Sequence, residues 1–277
     1  MGNEGLPDDV AAHYDDLDPL YRRIWGEHLH HGLWRTGDES PEQAAEAMTE
    51  LVGERLGLHS GQWLCDVGCG YGRMARELAG RFDVRVTGLT ISEKQAARAM
   101  RDVDDRVHIT HGDWMDNGLP DQRFDAVLAV ESLEHMHDPA RAVAEMARVL
   151  RPGGRVVLCC WLRIPDPLPW ERRFLLDPIA EDGRLAGMST ERQVTGWLEA
   201  AGLVLEQSED LSREVERTWP VCIGRSTKAL FTDSGTRRFL LARFGRSRAI
   251  GVTLFRIWAA YVLGAMRYVI FTARKPG

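Results

Sequence analysis

The chain has 277 residues, of which 44% are hydrophobic, and this suits one globular α/β domain with insertions. The acidic N-terminus lacks the apolar segment of a secretory signal, and no apolar run approaches the roughly 18 residues of a membrane-spanning helix. We therefore expect a cytoplasmic protein. Five cysteines without a CxxC pair predict neither a disulfide framework nor a zinc site, and no set of His, Cys, Asp and Glu has metal-ligand spacing.

The net charge of −6 hides an uneven distribution. Residues 212–277 contain 13 Lys and Arg against 3 Asp and Glu, a balance of +10, which leaves −16 for the rest of the chain. We favour a helical lid with solvated basic faces; the alternative is contact with an anionic membrane surface or an anionic substrate. Nucleic acid is not expected as a partner, because the whole chain is acidic and its basic residues form no known reading motif.

Strands and helices alternate along the chain, which predicts a parallel sheet with crossover helices. Residues 1–60 are expected to form a helical cap. Within it, Ser40 followed by Pro41 and Gln43 predicts a helix that starts with a capping box. The core is expected to span residues 61–211, and its first five strands are predicted at Trp63–Val67, Val84–Leu89, Val107–His111, Phe124–Val130 and Arg155–Trp161.

Further helix starts are marked by their capping residues. Ser92 with Gln95 and Thr190 with Gln193 repeat the capping box. Asp138 precedes a proline and opens a helix that is expected to end near residue 150, before "RPGG". The helix from Glu191 is followed by a turn and a strand that starts near residue 203.

Two insertions interrupt this core. The proline-rich stretch "RIPDPLPWERRFLLDP" predicts an insertion at about 163–190 over the sheet edge, which is neither strand nor helix. Residues 212–262 are expected to form the helical basic lid. The alternating run "RYVIFTARK" then predicts a final antiparallel strand within residues 263–277.

The stretch "WLCDVGCGYG" combines an acid with three glycines at alternate positions. Gly68, Gly70 and Gly72 give G-x-G-x-G, whereas a dinucleotide fingerprint is G-x-G-x-x-G. The carboxylate of Asp66 would repel a pyrophosphate but attract an ammonium group. S-adenosylmethionine (SAM) offers an ammonium group, and its carboxylate can meet backbone N–H groups. We therefore expect SAM as cofactor and S-adenosylhomocysteine (SAH) as product; the alternative is a tight turn packed on a helix.

Three later stretches follow in the order that a SAM site requires. Thr90 and Ile91 end the second strand. SAM sites usually carry an acid at the position of Thr90, which binds the ribose hydroxyls, so Gln95 is expected to supply the ribose contact here. After the third strand, Asp113 in "GDW" can accept from the adenine amino group, while Trp114 covers the ring. The fourth strand ends at "ESLEHM", on the edge where ligands of open α/β sheets bind.

These motifs resemble class I SAM-dependent methyltransferases, and more closely their γ-tocopherol methyltransferase-like branch. The resemblance extends from about Tyr14 to Pro276. It rests on "IWGEHLHHGLW", "CDVGCGYG", "GLTIS", "GDW", "ESLEHM", "PWERRFLLDPI", "DLSREVERTWP" and "FTARKP". It implies a Rossmann-like seven-stranded α/β sheet and methyl transfer to carbon, nitrogen or oxygen of a bulky small molecule, such as a quinol or another natural product.

Within that resemblance, each candidate site residue has an expected role. Cofactor contacts are expected from Tyr14, Asp66, Gly68, Gly70, Gly72, Thr90, Ile91, Gln95, Gly112, Asp113, Trp114 and Glu131. Acceptor contacts are expected from His31, Trp34, Trp161, Trp170 and Trp219, although at least two of the four tryptophans are expected to be core residues. His135 is the first candidate for a general base, since an imidazole titrates near neutral pH. The alternative is that His135 only caps its loop.

Two other functions fit part of the pattern. A nicotinamide-dependent oxidoreductase shares the architecture, but the glycine spacing and the missing acid after the second strand speak against it. A SAM-binding regulatory protein without turnover fits every binding motif but not the two acceptor-side insertions. The lid is expected to roof an apolar acceptor pocket, with an interfacial membrane anchor as the alternative. Its apolar positions are Leu230, Phe231, Phe239, Leu240, Phe244, Leu254, Ile257, Tyr261 and Val262.

Overall fold

The computed structural model describes residues 6–102, 104–235, 237, 238 and 244–277. One sheet of seven strands has the order β3-β2-β1-β4-β5-β7-β6, with β7 antiparallel to both of its neighbours and β1 to β5 parallel. The strands are β1 Trp63–Val67, β2 Arg85–Thr90, β3 Val107–His111, β4 Phe124–Val130, β5 Leu150–Arg163, β6 Val204–Asp210 and β7 Met266–Arg274. The expected seven-stranded α/β fold is confirmed. The strand order reverses between β1 and β4, so a ligand crevice is expected at their carboxyl ends.

Helices cover both faces of this sheet. They are α1 Leu6–Ile24, α2 Pro41–Leu56, α3 Arg73–Phe82, α4 Glu93–Ala99, α5 Pro139–Val149, α6 Pro169–Glu171, α7 Asp177–Asp182, α8 Glu191–Ala200, α9 Ser212–Val215, α10 Thr218–Thr232 and α11 Phe244–Val262. Short 3₁₀ turns at Trp114–Asp116 and Leu133–His135 follow β3 and β4. Alternate strand residues pack on opposite faces: Leu64 joins the core beneath α2 and α3, while Cys65 joins the core beneath α5 and α8.

The predicted helix starts are largely observed. Ser40 and Thr190 each form the complete capping box with the glutamine three residues later. Ser92 forms only half of one: its hydroxyl accepts from the Gln95 N–H, but the Gln95 side-chain oxygen instead accepts from the Thr90 hydroxyl at 2.8 Å. Gln95 is therefore turned toward the end of β2, where the cofactor contact is expected.

The prediction that the first insertion is not helical was wrong for residues 169–182. They form α6, a π-helical turn at Arg172–Leu176, and α7. Pro169 stands at the start of α6, where a proline needs no hydrogen-bond donor, and the carboxylate of Glu171 accepts from the Leu168 N–H at 2.7 Å. Pro178 lacks an N–H, and the π-helical turn directly precedes it.

The lid is helical where it is described, but only part of its apolar pattern faces inward. Leu254, Ile257 and Tyr261 of α11 are buried, and they pack in the core with β7. The exposed positions, contrary to expectation, are Leu230, Phe231 and Val262. Phe239 and Leu240 lie outside the described residues, as does the side chain of Phe244. No helix in the described ranges is long and apolar enough to cross a membrane; an interfacial contact stays a hypothesis.

Candidate active site

A cavity of about 1080 Å³, counted with the solvent space at its mouth, lies at the carboxyl ends of β1 to β4. It brings together nearly all of the residues predicted for the cofactor. These are Tyr14, Asp66, Gly68, Gly70, Thr90, Ile91, Gln95, Gly112, Asp113, Trp114 and Glu131. The exception is Gly72, which is the N-cap of α3. We refer to this space as the cofactor cavity.

The glycine-rich loop passes close to the loop that follows β4. Gly68, Gly70 and Gly72 all have positive φ, at 80°, 54° and 69°. A Cβ at Gly68 would lie 2.4 Å from the Cβ of Ser132, so the protein itself excludes a side chain there. A Cβ at Gly70 would instead meet only Leu29, at 3.7 Å. The missing side chain at Gly68 thus lets the two loops approach closely, while the backbone at Gly70 is left open to the cavity.

Asp66 carries the charge feature that suits the expected cofactor. Its side chain is buried, and its Oδ2 atom has no hydrogen-bond partner among the described residues. Burial raises the pKa of this carboxyl to about 7. Leaving a buried carboxyl oxygen unpaired is costly, so a ligand that supplies a donor would stabilise it. The ammonium group of SAM is such a donor, and the residues present fit the cofactor.

The loops after β2 and β3 are held by their own hydrogen bonds. The Thr90 hydroxyl engages the amide oxygen of Gln95, which leaves the amide nitrogen outside this bond. Asp113 accepts from the Met115 N–H at 2.9 Å, and the Trp114 indole N–H donates to the Ala142 carbonyl at 3.1 Å. These bonds fix the Trp114 ring along the cavity wall.

The first helix closes over the cofactor cavity through three polar contacts. The Tyr71 hydroxyl donates to Asp18 at 2.7 Å, and the Ser92 hydroxyl donates to Asp15. The Tyr14 hydroxyl reaches Nε2 of His135 at 2.9 Å. Helix α1 is thereby tied to the glycine-rich loop, to the start of α4 and to the turn after β4.

A second cavity, of about 940 Å³ with its open mouth, adjoins the first. The two share Tyr14, Leu29, Glu131 and His135. Its remaining wall is largely apolar and comes from α1, β5, α7 and its following loop, α10 and α11. The apolar members are Leu17, Leu20, Tyr21, Trp25, Trp161, Ile179, Leu185, Trp219, Leu254 and Ile257. We refer to this space as the acceptor cavity.

The structure separates the residues that were predicted for the acceptor. Trp161 and Trp219 line the acceptor cavity, and buried His31 packs edge-on against both rings. Trp34 does not join them: it lies in a third cavity between α1, α2 and α10, where its indole N–H donates to Thr218. Trp170 is 44% exposed on α6, because the first turn of that helix lies at the surface. Neither of these last two residues lines the acceptor cavity, so the geometry gives their expected acceptor role no support.

Glu131 lines both cavities and accepts hydrogen bonds from several segments of the chain. Its φ of 53° is unusual for a residue with a side chain, and its carboxylate holds that conformation by accepting four hydrogen bonds. The donors are the His31 N–H at 2.7 Å, His31 Nδ1 at 3.0 Å, the Tyr268 hydroxyl at 2.9 Å and the Trp161 indole at 2.9 Å. Burial opposes ionisation of Glu131, but its interactions with His31 outweigh burial and lower the pKa.

His135 faces both cavities, with both ring nitrogens engaged. Its Nδ1 lies 3.3 Å from the Arg184 carbonyl, which can only accept, so Nδ1 carries the proton and Nε2 accepts from Tyr14. Burial lowers the pKa of His135 to about 4. The imidazole is therefore neutral and weakly basic here, and its role as general base stays a prediction.

The N-terminal helices were expected to help enclose the reactants, but apart from Tyr14 sequence reasoning did not name the residues of this segment that line the acceptor cavity. Tyr14, Leu17, Tyr21 and Trp25 all line it, and their spacing of three and four residues marks one face of a helix. This periodicity in an otherwise acidic segment is the signal that would have found them. Among the described residues, no group of three or more His, Cys, Asp or Glu is placed to hold a metal ion.

Comparison with known proteins identifies the family. Residues 65–158 match the methyltransferase domain. Over 98% of both chains, the sequence is 37% identical to the 27-O-demethylrifamycin SV methyltransferase of Amycolatopsis mediterranei. It is 30% identical to the chloroplastic tocopherol O-methyltransferase of Arabidopsis thaliana, covering 99% of this chain and 83% of the plant protein. The chain belongs to the class I SAM-dependent methyltransferases.

Solved structures agree with this assignment of the methyltransferase fold. A mycolic acid cyclopropane synthase in complex with SAH superposes with a TM-score of 0.87 at 20% identity, covering 97% of this chain and 98% of that one. The [4+2]-cyclase SpnF is 32% identical, with a TM-score of 0.80, and the match covers 98% and 97% of the two chains. The methyltransferase uses SAM to methylate a small molecule.

The methyltransferase has the geometry that this chemistry requires. SAM supplies an electrophilic methyl group on a sulfonium centre. Because the reaction disperses charge, alignment of the two reactants and exclusion of water matter more than stabilisation of an anion. The wall of the acceptor cavity is largely apolar, and the shared residues Tyr14 and Glu131 stand where the two reactants would meet.

Proposed function

We propose that this methyltransferase transfers the methyl group of SAM to a hydroxyl group of a bulky, largely apolar natural product. The observation that carries the proposal is the junction of the two cavities at Tyr14, Leu29, Glu131 and His135. A cofactor in one cavity and an acceptor in the other can only meet there. The methyl group would therefore pass from the cofactor cavity to the acceptor cavity at this junction.

On the cofactor side, each part of SAM has a candidate partner. The unpartnered Asp66 oxygen suits the ammonium group, and the open backbone at Gly70 suits the carboxylate end. The amide nitrogen of Gln95 suits a ribose hydroxyl. Asp113 and Trp114 line the part of the cavity that is left for adenine.

The acceptor side supports the choice of a bulky and apolar substrate. Its wall is largely aromatic and aliphatic, which is typical of sites that bind apolar small molecules. Hydroxyl methylation is favoured over amine or carbon methylation because the relatives are named O-methyltransferases, one for a rifamycin and others for tocopherol. Polar groups, among them Glu134, interrupt the apolar wall and can orient a hydroxyl.

The test is turnover with SAM that carries a ¹³C-labelled methyl group. The probes are 27-O-demethylrifamycin SV, γ-tocopherol and an aromatic amine, and mass spectrometry locates the label. We expect a labelled methyl ether from a hydroxyl acceptor and one SAH released per ether. Label on nitrogen or carbon would contradict the proposed acceptor atom. An isomer of unchanged mass would indicate cyclisation, and SAH binding without product from any probe would indicate a binding protein.

A further inference from the structure

Two carboxyl side chains that line the cavities each have one buried oxygen without a hydrogen-bond partner among the described residues. Asp66, whose Oδ2 is unpaired, lines the cofactor cavity, and Glu134, whose Oε2 is unpaired, lines the acceptor cavity. An unpaired carboxyl oxygen in a protein interior is destabilising, so its retention calls for a reason. For Asp66 that reason is the ammonium group of the cofactor. Glu134 has the same feature and faces the other reactant.

Glu134 is held rigidly by its remaining contacts. Its side chain is 7% exposed, and its Oε1 atom accepts from the Trp161 backbone N–H. Its backbone carbonyl accepts from the Ala186 N–H at 2.8 Å, which joins the turn after β4 to the first insertion. These contacts leave Oε2 as the carboxyl oxygen of Glu134 that has no partner among the described residues.

The other polar side chains of the acceptor cavity satisfy one another. Tyr14 bonds to His135, His13 lies 2.9 Å from the Tyr21 hydroxyl, and the Thr253 hydroxyl donates to Asp182. Glu131, only three residues before Glu134, already has donors at both carboxyl oxygens, three at Oε1 and one at Oε2. An acceptor hydroxyl that enters this cavity therefore finds one buried carboxyl oxygen still in need of a donor.

We propose that Glu134 binds the acceptor hydroxyl and takes its proton during methyl transfer. This assignment rests on the proposed function. As the hydroxyl oxygen forms its bond to the methyl carbon, the carbon–sulfur bond breaks and its electron pair stays on sulfur. The O–H bond gives its electron pair to the oxygen, and the proton moves to Glu134 Oε2. The products are the methyl ether, SAH and a protonated Glu134, which then loses its proton to solvent.

The electrostatic surroundings favour Glu134 over His135 in this role. Burial raises the pKa of Glu134 to about 8, whereas burial lowers the pKa of His135 to about 4. A general base works best when its pKa is near the operating pH, and the carboxyl of Glu134 is ionised, and so able to take a proton, increasingly as the pH approaches and exceeds about 8. The titratable groups that surround Glu134 are His13, Tyr14 and Tyr21 of α1, Glu131 and His135 of its own loop, Cys160 of β5, Asp182 of α7 and Tyr261 of α11.

The experiment compares Glu134→Gln with His135→Gln on two acceptors. The probes are 27-O-demethylrifamycin SV and 4-nitrocatechol, a phenol that is largely ionised near neutral pH. We expect Glu134→Gln to lower kcat for the first probe by about 10²-fold to 10⁴-fold, the usual effect of losing a general base, with little change in KM. For 4-nitrocatechol the loss should stay below about tenfold, because no proton has to be removed. His135→Gln should lower kcat by less than about tenfold on both probes.

Controls separate this proposal from loss of folding and from failure of the proposed function. SAH affinity and thermal unfolding should match the wild type in Glu134→Gln and in the control Glu181→Gln, which changes an exposed glutamate of α7. Equal losses on both probes, or a larger loss in His135→Gln, would overturn the assignment of Glu134 alone. Wild-type protein that methylates neither probe would overturn the proposed function and with it this inference.

Discussion

The two halves of the active site are built differently. The cofactor cavity is formed mainly by short loops that follow four neighbouring parallel strands, each within a few residues of a strand end. The acceptor cavity takes its wall from α1, the turn after β4, β5, the first insertion, α10 and α11. The ends of the sheet strands form the cofactor half, whereas the helices and the insertion that cover the sheet form most of the acceptor half. Cofactor affinity and acceptor choice should therefore be separable by mutation.

The largest effect is expected from a substitution that fills the cofactor cavity. Gly112 lines the cofactor cavity, its φ is not in the left-handed region, and no described atom lies within 4 Å of the position of a Cβ. Gly112→Leu should therefore fill the cavity without straining the backbone. We expect SAH affinity, measured by calorimetry, to fall by at least about 100-fold, which corresponds to roughly 3 kcal/mol.

The matched control is Gly80→Leu, at an exposed helical position of α3 that is equally free of neighbours among the described residues. It should bind SAH as the wild type does. Gly68 is less suitable, because a side chain there would collide with Ser132 whether or not the cofactor is bound. Wild-type SAH affinity in a folded Gly112→Leu variant would place the cofactor elsewhere.

A smaller effect is expected from the acceptor half, and it should change KM for the acceptor rather than SAH affinity. Leu185 follows α7 and lines only the acceptor cavity, so Leu185→Trp should reduce the space for a bulky substrate. We expect KM for the rifamycin probe to rise by about tenfold, in line with the 1–3 kcal/mol cost of a poor fit in an apolar pocket, while SAH affinity stays unchanged.

Leu168→Trp is the control for this change. It adds the same ring to the same insertion, but at a side chain that is 54% exposed. We expect wild-type kinetics. If Leu185→Trp weakened SAH binding as much as it raised KM, the two halves would not be separable, and the comparison would fail.

The last effect concerns stability rather than activity. The pKa of Asp66 is raised by burial from 3.8 to about 7, so between these values the unfolded chain has lost a proton that the folded chain keeps. Stability should then fall as pH rises through this window, by at most about 1.4 kcal/mol per pH unit. Asp66→Asn should lose this contribution, and bound SAH, whose ammonium group favours the charged carboxyl, should weaken it.

Urea unfolding of the ligand-free wild type and Asp66→Asn at several pH values checks this sign. As pH rises from 4 to 7, the unfolding free energy of Asp66→Asn should increase relative to that of the wild type. The SAH affinity of Asp66→Asn should be lower than that of the wild type. A wild type that gains stability relative to Asp66→Asn over this range would show that Asp66 has a partner in the folded protein.

The cofactor half was accessible from sequence because its chemistry is local. Asp66 and the three glycines lie within seven residues, and a strand before them and a helix after them suffice to place them. The acceptor half depends on contacts between distant segments. The bonds from His31, Trp161 and Tyr268 to Glu131 join residues up to 137 positions apart, and no local pattern shows them.

The same difference explains the incorrect predictions. A tryptophan in a covering segment lies in the cavity or at the surface according to how that segment packs, and residue type alone does not separate Trp161 from Trp170. The prolines of the first insertion suggested an irregular loop, yet Pro169 starts a helix. Sequence alone does not single out Glu134, because a glutamate at a strand end is usually solvated or bonded to backbone. Its partial pairing is visible only once β5 and the insertion are in place.

The most direct test of the central claim is a crystal structure with SAH and 27-O-demethylrifamycin SV bound together. The account predicts that the SAH sulfur lies at the junction beside Tyr14 and Glu131, with the ammonium group at Asp66. The acceptor should fill the second cavity, with a hydroxyl oxygen within hydrogen-bond distance of Glu134 Oε2. Acceptor density beside Trp34 in the third cavity, or an SAH sulfur that does not face the acceptor cavity, would contradict it.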